Sequence, residues 1–108
     1  MAIQKRKKDA DDVLDYEFPW STWLGSDTIT SFTIHDKDGD AVSDAGTFLD
    51  STGAAGTLVK NSATNTATSV TVWLSAGADG KTYPVTCRIV TTGGRTKDKT
   101  MKIEIEEQ

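Results

Sequence analysis

Residues 79–105 read Asp79-Gly80-Lys81-Thr82-Tyr83-Pro84-Val85-Thr86-Cys87-Arg88-Ile89-Val90-Thr91-Thr92-Gly93-Gly94-Arg95-Thr96-Lys97-Asp98-Lys99-Thr100-Met101-Lys102-Ile103-Glu104-Ile105. Two alternating runs flank a Gly-Gly pair. Successive side chains of a strand point to opposite faces, so Tyr83, Val85, Cys87 and Ile89 share the inner face of a strand over 82–91. Over 97–106, Met101, Ile103 and Ile105 face inward while Lys102, Glu104 and Glu106 face outward. Gly93-Gly94 supports the hairpin between them. Upstream, Asp79-Gly80 leads to a Tyr placed two residues before a core position. That arrangement has the form of the tyrosine corner of immunoglobulin-like domains. Val85 stands at the core position, so packing replaces a disulfide there.

Working outward, the remaining chain is a series of short β runs between turn signals. Thr68–Ser75 places Val70, Val72 and Leu74 on one face. Thr28–His35 is rich in Thr, Ile and Phe, and Asp36–Asp40 follows it as a turn. Phe48-Leu49 and Leu58-Val59 mark brief strands, the second followed by the polar stretch Lys60–Asn65. No segment sustains a helical pattern. The fold class expected is all-β: an immunoglobulin-like antiparallel β-sandwich. Residues 13–25 are the most apolar stretch. Tyr16, Phe18 and Trp20 share a face at spacing two, and Pro19 ends the ladder. Trp20, Trp23 and Leu24 then have helical spacing, with Gly25 ending a single turn. Residues 1–12 have no apolar pattern and are expected to be an extended, flexible charged N-terminal arm unless a partner fixes them. The domain proper is expected over 13–108.

The 108 residues suit one domain with a modest core. No stretch is long and apolar enough for a transmembrane helix, and no signal peptide is visible, so a soluble protein made in a cytoplasm is expected, with no membrane partner. Cys87 is the single cysteine, which excludes an intramolecular disulfide and a multi-cysteine zinc site. The net charge of −4 argues against a general nucleic-acid binder. The charge is uneven, however: Lys5, Arg6, Lys7 and Lys8 form a basic block, and Glu104, Glu106 and Glu107 an acidic end.

Candidate sites are few. Asp36, Asp38 and Asp40 have calcium-loop spacing at its first positions, but Gly39 falls at the fourth place and no Glu stands at the twelfth. The reading is a hairpin turn, and no metal is expected. His35, the only histidine, lacks an oriented partner for nucleophilic catalysis and is expected at the surface or partly buried. Cys87 lies on the core face and behaves as a small hydrophobe. The acidic residues lie in turns and on exposed faces, and Gly93-Gly94-Arg95 lacks the pattern of a phosphate loop. No catalytic residue and no cofactor are expected. The aromatic cluster of Tyr16, Phe18, Trp20 and Trp23 is read as core plus protein interface rather than a sugar platform. Trp73 is either a second-face core residue or an exposed anchor. The contact residues expected are Lys5, Arg6, Lys7, Lys8, Tyr16, Trp20, Trp23 and Trp73.

Three ordered segments carry a resemblance. The first is Lys8-Asp9-Ala10-Asp11, with Leu14-Asp15-Tyr16 and Trp20-Ser21-Thr22-Trp23-Leu24-Gly25. The second is Val72-Trp73-Leu74-Ser75-Ala76-Gly77. The third is Tyr83-Pro84-Val85 through Ile89, then Gly93-Gly94-Arg95-Thr96. In this the chain resembles the phage fiber-tail adaptor proteins, small immunoglobulin-like virion proteins of tailed bacteriophages. The likeness runs from residue 8 to about 105 and is loose over 36–66. It implies a non-enzymatic virion part at the neck or tail junction, made in the host bacterial cytoplasm. It also implies other phage structural proteins as partners (neck, connector, tail or fiber) and several copies around a symmetry axis. In that role the sandwich is a spacer, the arm orders on a neighbouring subunit, and residues 14–24 staple the sandwich or dock. The alternative is an immunoglobulin-like binding module that recognises carbohydrate or decorates a capsid or cell surface.

Overall fold

The computed structural model describes residues 4–8 and 13–105, and for 4–7 the backbone alone. The described chain forms β1 (Gln4–Lys8), β2 (Leu14–Pro19), the helical turn α1 (Ser21–Leu24), β3 (Ile29–His35), β4 (Thr47–Leu49), β5 (Ala55–Asn65), β6 (Ser69–Ala76), β7 (Thr82–Thr91) and β8 (Thr96–Ile105). The strands make two four-stranded sheets, ordered β1-β8-β7-β3 and β2-β6-β5-β4. Paired strands run antiparallel except β1 and β8, which are parallel. The all-β sandwich expected from the alternation is the fold observed.

The alternation is also what builds the core. Val85 pairs with Met101 and Tyr83 with Ile103, which sets their side chains on one face. Tyr16 pairs with Val72 and Phe18 with Val70 on the opposing sheet. Val70, Val72, Leu74, Val85, Cys87, Ile89 and Ile103 are all fully buried between the sheets. The hairpin joining β7 to β8 closes through Gly94 at φ 83°, a conformation that favours glycine. At the other end of β7 the Tyr83 hydroxyl accepts the Ala78 N–H at 3.1 Å. A Cβ on Gly56 would collide with the Tyr83 ring and the Phe48 carbonyl, so β5 comes this close only as glycine.

Three expectations need correction. Five residues of the presumed flexible arm, Gln4–Lys8, form β1 along β8, from Gln4↔Met101 to Lys8↔Ile105. Main-chain pairing with an open strand edge, not apolar burial, orders them, which is why no pattern in Gln4-Lys5-Arg6-Lys7-Lys8 announces it. Residues 9–12 lie outside the described residues. Second, Leu58-Val59 and the polar stretch after it are one strand, β5. An irregularity between Lys60 and Ser62 shifts the register, so Ser62 stands opposite Trp73 on the outer face. Third, His35 is buried. Its Nε2 lies 2.7 Å from the Thr33 hydroxyl and its Nδ1 2.9 Å from the Gly39 carbonyl, so the ring pins the turn after β3. In that turn the Asp36 carboxylate accepts the Asp38 and Asp40 amides, each at 3.0 Å, so the aspartate spacing serves the backbone.

Candidate functional site

Pro19 closes β2, and the chain turns at once into α1. The Trp20 carbonyl accepts the Leu24 N–H at 2.9 Å, and Gly25, at φ 63°, donates to the Ser21 carbonyl at 3.1 Å. One helical turn thus separates an inward Trp20 from a half-buried Trp23. Trp20 is 1% exposed and caps this end of the core. Its indole Nε1 has no hydrogen-bond partner. The Cys87 thiol is fully buried nearby. Burial pushes that thiol up to about 12, and the Trp20 side chain opposes the shift only in part.

Trp23 packs edge-on against Trp20, with centroids 5.7 Å apart and planes at 68°. The Arg95 guanidinium lies 4.2 Å from the Trp23 ring centroid, a cation–π contact. Arg95 also donates from Nη2 to the Leu24 carbonyl at 3.0 Å and from Nε to Asp27 Oδ2 at 3.1 Å. Asp27 Oδ1 accepts the Gly93 N–H at 3.0 Å and the Thr28 N–H at 2.9 Å. The Thr91 hydroxyl, and then the two amides and Arg95, hold the Asp27 carboxyl down at about 2 against the opposing effect of desolvation. Asp27 and Arg95 therefore lock the Trp turn to the β7–β8 hairpin.

The inward row of β8 explains the surface that results. It reads Lys97, Lys99, Met101, Ile103, Ile105. The last three fill the core, and the first two run past its end beside the Trp turn. Lys99 donates to the Pro19 carbonyl at 2.8 Å, and its Nζ lies 5.4 Å from the Trp20 centroid. Partial burial holds the Lys99 ammonium below the usual lysine range, with Cys87 opposing the shift. Pro19, Trp20, Thr22, Trp23, Lys97 and Lys99 line an open groove, apolar along its floor and cationic along one side. No carboxylate lines it. Apolar rings beside two ammonium groups suit the recognition of an apolar group accompanied by negative charge.

The expected contact residues divide. Tyr16 and Trp20 are buried, and Lys8 is 2% exposed with its Nζ donating to the Ala76 carbonyl at 2.7 Å. These three hold the sandwich together because their side chains are enclosed. Trp23 lines the groove with one ring face under Arg95, so no open four-aromatic platform forms. Trp73 is 41% exposed on the outer face of its sheet. The side chains of Lys5, Arg6 and Lys7 lie outside the described residues. Sequence reasoning missed Asp27, Arg95, Lys97 and Lys99. The signal for the lysines was present: the period-two row through Met101, Ile103 and Ile105 extends back onto them. Asp27 and Arg95 are 68 residues apart, and nothing local joins them.

The buried polar groups away from the groove have structural partners. Asp50 accepts the Thr52 and Ala54 amides at 2.9 and 3.2 Å. No group of three or more His, Cys, Asp or Glu among the described residues is gathered so as to hold a metal ion. No curated protein matches the chain. The family model described as Podophage GP4 fiber-tail adaptor protein gp77 matches residues 33–104, two-thirds of the chain, which therefore belongs to this family of phage structural proteins.

Proposed function

We propose that the protein links tail fibers to the phage particle at the neck or tail junction. It acts there as a non-enzymatic spacer, in several copies about a symmetry axis, held by contacts with other virion proteins. The groove at the Trp turn carries this reading. It is apolar and cationic, and its floor is braced by Trp20, Arg95 and Asp27, so a partner meets a surface that is already organised. Family membership supports the assignment to fibers and tail. The strand orders β1-β8-β7-β3 and β2-β6-β5-β4, with the Tyr83–Ala78 bond, support an immunoglobulin-like description of the spacer. Among the described residues β2 and β3 are end strands of their sheets, and β2 and the first half of β3 give further places where a neighbour's strand can add, the second half of β3 being bridged by residues 41–42.

Gold-labelled antibody microscopy of purified particles tests the proposal. Label is expected at the neck or tail junction. Label elsewhere on the particle would favour a decorating role. Particles without label would favour a binding module that acts outside the virion.

A further inference from the structure

Trp73 sits on β6, an inner strand of its sheet, and points away from the core. Across the ladder it faces Asp15 on β2 and Ser62 on β5, and Glu17 lies one step along the same face. Asp15 and Glu17 are exposed. The four strands of this sheet hold one basic residue, Lys60, which is buried and paired with Asp44 at 3.1 Å. An exposed indole therefore stands in a negative field with no cation of its own sheet beside it. The groove described above is the converse: apolar, lined by two indoles, Lys97 and Lys99, with no carboxylate.

We propose that the groove receives the Trp73 face of a second copy of this chain. The Trp73 indole enters between Trp23 and Pro19, and Asp15 and Glu17 meet Lys97 and Lys99. The match is one of charge and of apolar character, since one surface offers an exposed indole, the knob, with two carboxylates and the other an aromatic floor with two ammonium groups. Buried aromatic anchors ringed by polar contacts are where interface energy concentrates. Knob and groove lie on different surfaces of the molecule, so the contact is heterologous. Each copy that docks still offers one free knob or groove, and the series closes into a ring or runs on as a filament. This inference rests on reading the groove as a protein-docking surface.

Sedimentation equilibrium of the full chain, at rising concentration and at low and high salt, tests it. Two variants at exposed positions are compared: Trp73→Ala removes the knob, and Thr22→Glu with Lys97→Glu closes the groove to a negative face. Thermal unfolding confirms that both are folded. The parent is expected to form species larger than dimers, weakened by salt. Each variant alone is expected to lose association by about 30-fold or more. An equimolar mixture of the two is expected to regain it as a heterodimer and stop there, because only one intact knob and one intact groove remain to meet. A parent that stays monomeric to about 1 mM, or a mixture that stays monomeric while the parent associates, would overturn the proposal. Incorporation of the groove variant into particles separates the two ideas. If it is lost from particles while the parent does not self-associate, the groove docks another protein and only the second-copy occupant fails. If it is incorporated normally, the reading of the groove fails.

Discussion

Trp20→Ala removes an indole that is 1% exposed and opens a cavity at the end of the core. The expected loss is about 3–5 kcal/mol, read from the urea midpoint. Trp73→Ala removes a ring that is 41% exposed and is expected to stay within about 0.5 kcal/mol of the parent in the same measurement. If the two changes cost the same, Trp73 is part of the core. Asp27 gives a prediction in pH. Its folded carboxyl titrates at about 2, below the ordinary value of 3.8, so the charged form is the one the fold favours. The stability it contributes is fully present above about pH 4 and is lost as pH falls through about 2. Asp27→Asn is therefore expected to be less stable than the parent at pH 6, and the gap to shrink as pH drops from about 4 to 2. A gap that is constant with pH would mean that shape rather than charge holds the Trp turn to the hairpin.

At the scale of elements, β1 is the segment least able to hold itself. Its five residues are all polar, and its pairing with β8 is parallel. What is described beyond main-chain pairing is Lys8, whose buried ammonium donates to the Ala76 carbonyl. Lys8→Met keeps the apolar stem and removes the donor. A lost charged hydrogen bond is worth about 1.5–3 kcal/mol, so amide exchange over Gln4–Lys8 is expected to quicken by about 10-fold or more while β7 keeps its protection. Uniform quickening in both strands would mean that β1 opens only when the whole sandwich does. The same comparison shows what a sequence can and cannot disclose. Strands β6, β7 and β8 were legible because Val70, Val72 and Leu74, and then Met101, Ile103 and Ile105, alternate with polar neighbours. The Trp turn was legible from the spacing of Trp20, Trp23 and Leu24 and the Gly after it. β1 was not, because an edge that needs pairing lies in β8 rather than in Gln4–Lys8. The groove was half legible: its tryptophans stood out, but the lysines that give it charge come from a strand about 75 residues later and are brought there only by the packing of the two sheets.

At the scale of the molecule, both ends of the sandwich are tied to one core. The Trp turn closes one end through Arg95 and Asp27, and the Tyr83 corner closes the other. A domain with a single core is expected to unfold in one step. Tryptophan fluorescence, read from the Trp20 end, and far-ultraviolet circular dichroism should then give coincident urea transitions. An earlier fluorescence transition would mean that the Trp turn opens as a separate unit. The depth of Cys87 has a practical consequence for orientation. Its thiol is fully buried and pushed up to about 12, so the folded chain offers almost no thiolate to a maleimide at neutral pH. A single cysteine introduced at Ser26, just after the Trp turn and outside the groove lining, or at Lys81, beside the corner, becomes the sole site of labelling. The molecule is about 40 Å long and 25 Å across, so heavy-atom clusters on these two sites would mark its opposite poles. Seen on the particle, the pair would show which end of each copy points toward the capsid.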